Sequence, residues 1–477
     1  MDKLIGRQEE KKILANALSS PEAELIAVYG RRRVGKTYLI RNAYKERIIF
    51  EMTGIHEAKL AEQLQNFSLS LQNAMNSAVP PAIPDNWITA FDFLRKYLST
   101  KLSSQKSVIF FDEFPWIHTA KSGFLQAFEH FWNVWASRQA NLLLVICGSA
   151  ASWMMENIIN NKGGLHNRIS RQIRLLPFNL GEVESYLKSK RINLDQYQVL
   201  QLYMVMGGIP HYLKDMKPGE SAAQYIDRLC FTKDGTLKGE FKNLYRSLFD
   251  NAQNHEAVIR ALAKKRQGLT RNEIMEATGL SSGGTTTKLF SELEESGFIS
   301  QYIPFDKDSK DAIYKLSDEY SLFYLKFMEG AKSTGAGTWL RQLNSASFRS
   351  WSGFAFESIC LKHVVQIKRS LGIEGVHSEI SAWRYVPQKG GSGAQIDLLI
   401  DRQDLCINIC EMKFSTAEFV IDKKYSGELE NKIKVFRNNT KPKKTLFLTM
   451  VTTYGVHKNS YFSHLIQNEV TAAALFK

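Results

Sequence analysis

Short apolar runs alternate with longer amphipathic stretches through the first 215 residues. Runs at 25–29, 48–52, 108–111, 142–147 and 172–176 predict buried strands. The stretches between them repeat apolar residues at helical spacing, so the pattern predicts an α/β fold with a parallel sheet. Val79-Pro80-Pro81-Ala82-Ile83-Pro84 breaks it as a loop between helices. Residues 255–316 read differently: helices over 255–264, 270–278 and 285–296, then strands over 298–304 and 312–316 joined by the polar loop 306–311. The second helix opens with a Thr-x-x-Glu capping box at Thr270 and Glu273. Three helices and a hairpin predict a winged helix-turn-helix. Residues 330–350 are rich in Gly, Ser, Ala and Thr and read as a domain boundary. Beyond them the pattern predicts a helix over 352–367, a hairpin of 396–401 with 405–414, a helix over 427–438, a strand over 445–449 and a helix over 461–467. No internal repeat is visible. The expected organisation is 1–215, 216–335 and 340–477.

A length of 477 residues allows about three domains, each able to bury a core. The longest apolar run, 142–147, is strand-sized, so no membrane span is expected. Residues 1–6 lead straight into structure-like sequence, with no signal peptide expected. Five scattered cysteines without metal spacing fit a reducing cytoplasm. The net charge of +14 is uneven. Residues 1–215 hold 26 Lys+Arg against 19 Asp+Glu, residues 216–339 hold 17 against 17, and residues 340–477 hold 19 against 12. Basic ends around a neutral middle fit either polyanion contact or plain solubility.

The chemistry starts at Gly30-Arg31-Arg32-Arg33-Val34-Gly35-Lys36-Thr37, a G-x-x-x-x-G-K-[ST] phosphate loop between a strand and a helix. Its glycines allow a tight turn that aims N–H groups at phosphate oxygens, at a helix N-terminus. Lys36 would reach the β- and γ-phosphates of ATP, and the Thr37 hydroxyl would ligate Mg²⁺. About 75 residues later, Val108-Ile109-Phe110-Phe111-Asp112-Glu113 is an apolar strand ending in two acids. Asp112 is placed for the Mg²⁺ shell, and Glu113 to polarise the attacking water. Ser149, at the tip of the next strand, could touch the γ-phosphate or that water. Arg168 and Arg171 are candidate γ-phosphate sensors, in the same chain or in a second copy.

Residues 1–330 resemble the archaeal-type ATPases of the STAND class, a branch of the AAA+-like P-loop NTPases. The residues that carry the resemblance are Leu4-Ile5-Gly6-Arg7-Gln8-Glu9-Glu10, residues 29–37, Asp112-Glu113-Phe114, Leu165-His166-Asn167-Arg168, Leu176-Pro177-Phe178 and Gly207-Gly208-Ile209-Pro210. The resemblance implies that the last element lies near the nucleotide, making Pro210 a cofactor-side residue. Free φ at two glycines and fixed φ at Pro210 suit a coupling element.

The candidate recognition helix of the winged segment, 285–295, carries Lys288 against Glu292, Glu294 and Glu295. That balance favours packing within the chain over DNA reading. In the last domain, Asp397 lies on one hairpin strand and Glu411 and Lys413 on the other. Residues two apart share a strand face, so Glu411 and Lys413 point together. A turn centred on 402–404 sets Asp397 opposite Ile409, on the same face. Two carboxylates and an amine then suit a divalent cation that activates water, with Glu357 of the preceding helix completing the shell. Glu-x-Lys alone occurs about once or twice by chance in a chain this long. In the order helix, hairpin, helix, however, residues 340–477 resemble the PD-(D/E)xK nucleases, and more closely the nuclease-like domain that accompanies archaeal-type ATPases. The resemblance implies a Mg²⁺-dependent DNA-cleaving site at Glu357, Asp397, Glu411 and Lys413. The loop 389–393 could let a phosphate approach, and Lys423, Lys424, Lys432, Lys434, Arg437 and Lys441 could track a DNA backbone. The expected function is an ATPase whose nucleotide state gates a nuclease. The alternative is a nucleotide-dependent DNA-binding regulator or a signalling switch with a non-catalytic last domain. A homo-oligomer is carried as a candidate assembly.

Overall fold

The computed structural model describes residues 4–160, 163–165, 167–249, 251–331, 335–343, 345–387 and 393–477. Internal contacts divide the chain into two compact units, Met1–Pro177 and Phe178–Lys477. Residues 178–215 thus belong to the second unit, apart from the strands that precede them. No helix among the described residues is long and apolar enough to cross a membrane.

The first unit is built on β1 (Glu24–Tyr29), β2 (Ile48–Thr53), β3 (Ser107–Asp112), β4 (Leu142–Gly148) and β5 (Arg171–Arg174). They form one parallel sheet in the order β2-β3-β4-β1-β5. Helices cover both faces of such a sheet, which is why its central strands read as unbroken apolar runs. β4 is buried along its whole length, with Val145 paired to Ile26 of β1 on one side and Phe110 of β3 on the other. Under the sheet lies an aromatic cluster that includes Trp87, Phe91, Phe111, Phe114, Phe124 and Phe128. Each such ring contributes about 2–3 kcal/mol by leaving water. The consequence for function is positional. The C-terminal tips of β1, β4 and β3 lie side by side, so the segments after them share one edge.

The second unit begins with helices, among them Leu180–Ser189 and Gln196–Met206. Gly207 and Gly208 come next, both in the left-handed region, and a Cβ on Gly208 would lie 2.1 Å from the Phe178 carbonyl oxygen. Pro210 opens the short helix Pro210–Leu213, where its missing N–H costs nothing. Helices Ala252–Lys264, Arg271–Thr278 and Gly284–Glu295 accompany β6 (Leu269–Thr270), β7 (Ile299–Tyr302) and β8 (Ile313–Leu316), an antiparallel sheet ordered β6-β8-β7. The capping box is present: the Glu273 amide donates to Thr270, and the Thr270 amide to the Glu273 carboxylate.

Described residues of the 330–350 segment are anchored to the helices around them. The Asp227 carboxylate accepts from the amides of Gly337 and Trp339, each at 2.6 Å. Trp339 is buried among Phe231, Phe323, Phe327, Phe348 and Trp351. Small residues dominate the composition there, but one indole anchors the segment.

The C-terminal part then runs helix Ala346–Lys362, helix Val364–Ser370, β9 (Ser378–Tyr385), β10 (Ala394–Arg402), β11 (Cys406–Lys413), helix Lys423–Thr440, β12 (Thr445–Thr452), helix Ser460–Leu465 and β13 (Asn468–Thr471). The sheet is mixed, β13-β12-β11-β10-β9, with antiparallel pairing from β9 to β11 and parallel pairing beyond. β9 is absent from the sequence reading, and the helix expected over 352–367 is two helices. The break falls at His363, whose Nδ1 binds the Ile359 carbonyl while Nε2 accepts from the Leu180 amide. Burial holds this imidazole down at about 4, so it stays neutral.

Candidate functional site

The phosphate loop turns through Gly30 and Gly35, both at positive φ. A Cβ on Gly30 would lie 2.3 Å from the Leu175 carbonyl oxygen, so only glycine fits. Lys36 is buried inside the loop, its Nζ donating to the carbonyls of Gly30 at 2.9 Å and Arg31 at 3.2 Å. The Arg32 guanidinium lies over the Trp116 ring, 5.0 Å from its centre. Arg33 takes φ 75, and Val34 is buried with its carbonyl accepting from Arg7 Nη2 at 3.2 Å. Arg7, itself buried, braces the loop from the start of the chain. It lies inside a motif recognised in the sequence, where it has no assigned role.

β1, β4 and β3 bring the expected partners together at the shared edge. Thr37 Oγ1 donates to Asp112 Oδ2 at 2.8 Å. Asp112 Oδ1 accepts the Glu113 amide at 3.0 Å. Glu113 sits at φ 46, a left-handed conformation that costs a non-glycine residue about 1–3 kcal/mol. Its Oε2 accepts both from Ser149 Oγ at 2.6 Å and from the Ser149 amide at 3.1 Å. Ser149 therefore holds Glu113. The donor set suits Mg²⁺: a hydroxyl and a carboxylate oxygen already converge, and phosphate oxygens and waters usually supply the rest of the shell.

The sensor arginines fall elsewhere. β5 runs parallel to β1, with Arg171 beside Ile26 and Arg174 beside Tyr29. Arg171 pairs with Glu24 at 3.0 Å, at the start of β1. Arg168 is exposed and precedes β5, at the sheet edge opposite the loop. At least ~10 Å of strand separates it from the phosphates' expected position. A γ-phosphate contact by Arg168 within one chain is therefore corrected, because a parallel strand delivers its C-terminal end to the loop. Pro210 belongs to the second unit.

A second constellation lies on the mixed sheet. The register pairs Leu398 with Cys410 and Leu399 with Ile409. Continued one step, it sets Asp397 opposite Glu411, not opposite Ile409. The hairpin is centred one residue later than its composition suggests, and the two-residue register shift that results preserves the face. Asp397 Oδ1 accepts from Gln395 Nε2 at 2.7 Å. Glu411 is crowded: Tyr425 Oη at 2.7 Å and Lys413 Nζ at 3.0 Å share Oε1, and Lys432 Nζ takes Oε2 at 2.5 Å. Burial pushes its carboxyl up, but Lys432, Lys413 and Tyr425 outweigh this and hold it below the usual range. Glu357 is raised to about 7 by burial and then by the charges of Asp397 and Glu411, against the pull of Lys413 and Lys315.

The four residues expected at this site are neighbours, but they do not fit a cation as placed. Among the described residues, no three His, Cys, Asp or Glu side chains converge closely enough to hold one. Lys413 and Lys432 stand on the Glu411 carboxylate instead. Lys432, expected in a basic run that could track a DNA backbone, pairs with Glu411. The loop 389–393 lies, apart from Gly393, outside the described residues. On helix Gly284–Glu295, Lys288 lies 4.0 Å from Glu292, which also binds His255 at 2.7 Å.

Residues 4–216 match a family model described as an ATPase domain predominantly from Archaea. An uncharacterized protein of Methanocaldococcus jannaschii is 24% identical over 401 residues, 83% of each chain. Among solved structures, the Walker-type ATPase PABY2304 of Pyrococcus abyssi overlaps 68% of this chain and 96% of its own, at 16% identity and TM-score 0.46. Cdc6p from Pyrobaculum aerophilum overlaps 68% and 95%, at 13% identity and TM-score 0.33. The chain thus carries an ATPase domain of the archaeal type over residues 4–216.

Proposed function

We propose that the chain is an ATP-hydrolysing switch of the STAND type. ATP would bind at residues 30–37, and Thr37 and Asp112 would hold Mg²⁺ beside it. The observation behind this reading is the Thr37–Asp112 bond of 2.8 Å, with Glu113 next along and Lys36 buried in the loop. Bound Mg²⁺ would neutralise charge on the β- and γ-phosphates. Lys36 exchanges two loop carbonyls for phosphate oxygens, and loop amides hold the rest. Glu113 orients the attacking water and takes its proton as the water oxygen bonds to the γ-phosphorus and the bond to ADP breaks. Ser149 restrains Glu113 until nucleotide is in place. Arg168 acts from a second copy of the chain. Pro210 and its two glycines serve as the coupling element. Phosphate release from ATP tests this: equal rates from wild type, Lys36→Ala and Glu113→Gln would overturn it.

The C-terminal part is read as a PD-(D/E)xK-like nuclease domain whose activity the nucleotide gates, in DNA processing or defence. Its support is the element order, with Asp397, Glu411 and Lys413 brought to one face. The lysines on Glu411 favour a second reading, a DNA-binding regulator or signalling switch with a non-catalytic C-terminal domain. Plasmid incubated with Mg²⁺, with and without ATP, separates the two. Cleavage that disappears on Glu411→Ala supports the nuclease. No cleavage under any nucleotide condition leaves the second reading.

A further inference from the structure

The phosphate loop carries three arginines in a row, in three different environments. Arg31 is buried, Arg33 is exposed at positive φ, and Arg32 between them is half-buried. The Arg32 guanidinium lies over the Trp116 ring, 5.0 Å from its centre. Trp116 follows β3, three residues past Glu113, and its amide donates to the Glu113 carbonyl at 2.9 Å. In the sheet, β4 stands between β1 and β3, so this contact bridges two strand spacings, roughly 10 Å. It passes the tip of β4, where Ser149 holds Glu113.

Trp116 is a fixed platform. Gln63, buried in helix Leu60–Met75, donates from Nε2 to the Trp116 carbonyl at 2.8 Å and to the Ile55 carbonyl at 2.7 Å. The His56 ring meets the indole in a T-shaped contact at 4.9 Å. An aromatic face holds a cation without neutralising it. Among the described residues Arg32 forms no ion pair, although Asp112 and Glu113 lie on the same edge. Its N–H donors are therefore uncommitted there. Lys36, bound to the carbonyls of Gly30 and Arg31, marks one end of the phosphate cradle, and Glu113 marks the end where water attacks. The transferring phosphoryl group has to lie between those two. Arg32 starts beside the first and ends beside the second.

We infer that Arg32 is a catalytic arginine of the ATPase site, supplied by the same chain, and that Trp116 is its positioning residue. As the water oxygen bonds to the γ-phosphorus and the bond to ADP breaks, negative charge gathers on the phosphoryl oxygens, and the guanidinium donates to them. It acts by charge and hydrogen bonds, not by proton transfer. The inference rests on the reading of residues 30–37 as the ATP site. Arg168 would act between copies, whereas Arg32 gives a single chain a cation of its own.

The test compares full-length variants by phosphate release and by equilibrium binding of ADP, alone and with aluminium fluoride, a stand-in for the transferring phosphoryl group. Arg32→Ala should lower kcat about 10²-fold, keep ADP affinity within about 2-fold, and lose the extra affinity that fluoroaluminate gives wild type. Arg32→Lys should recover only part of kcat, since an ammonium lacks the planar fork. Trp116→Leu should lower kcat about 10-fold, and Trp116→Phe should restore most of it. A kcat for Arg32→Ala within about 2-fold of wild type overturns the inference, and so does a loss of ADP affinity as large as the loss of kcat. A mixture of Arg32→Ala with Glu113→Gln should stay as slow as its parts, because neither chain then holds a complete site. Recovery in the mixture would place Arg32 in a neighbour's site and overturn the same-chain claim. Equal phosphate release from wild type and Lys36→Ala overturns the ATP-site reading itself, and the inference with it.

Discussion

The phosphate-loop site and the C-terminal carboxylate site draw on the same side chains, a lysine and acids at strand tips, and they reach opposite conditions. At the first, Lys36 is satisfied by two backbone carbonyls, and Asp112 is met by a neutral hydroxyl. The acid keeps its affinity for a cation. At the second, Lys413 and Lys432 lie directly on Glu411. Its charge is spent within the protein. Readiness for a metal is therefore decided by what the lysine bonds, more than by the presence of the acids.

Lys36→Ala probes the first site hardest. We expect kcat/KM for ATP to fall by about 10³-fold, measured by phosphate release. Glu113→Gln should lower kcat by about 10²-fold and leave nucleotide affinity unchanged, as equilibrium binding of labelled ATP would report. If binding falls as well, the loop and Glu113 are not separable.

The third prediction concerns burial in the second unit. The folded-state value of about 4 for His363 lies below its ordinary 6.5. Below pH 6.5 the unfolded chain binds a proton that the native chain refuses, so this contribution to stability falls as acid is added. From there to about pH 5 the loss is on the order of 2 kcal/mol. Urea titrations of wild type and His363→Gln across this range should differ by that slope.

The smallest effect is the most direct comparison of the sites. Glu411→Gln leaves two half-buried ammonium groups without their anion and should cost about 2 kcal/mol of stability. Asp112→Asn keeps a hydrogen-bond partner for Thr37 and should cost under about 1 kcal/mol. Equal costs in urea denaturation would erase the distinction.

The strands of the first unit are legible in sequence because burial on both faces leaves uninterrupted apolar runs. Thr37, Asp112 and Ser149 meet because three such strands are neighbours, which a motif search finds only in part. Arg168 passes for a nucleotide contact because sequence distance does not say which end of β5 faces the loop. β9 is hidden because its burial is patchy, with Trp383 and Ser381 inside and Glu379, Ile380 and Arg384 outside. Lys432 does carry a signal. Tyr425, Leu429, Lys432 and Phe436 fall at i, i+4, i+7 and i+11, one helix face, and Leu429 and Phe436 are buried. Reading the lysines as a basic run hides that spacing. Lys315 carries none, since only tertiary packing brings it to Glu357.

Trp339 has a consequence for how such a chain can be inherited. A fragment that begins at residue 340 strips Phe348 and Trp351 of this indole, and one that ends there leaves the indole without those two rings. Either cut uncovers a patch of aromatic rings, which invites aggregation. The composition around residue 340 advertises a seam, but recombination at that seam would be selected against.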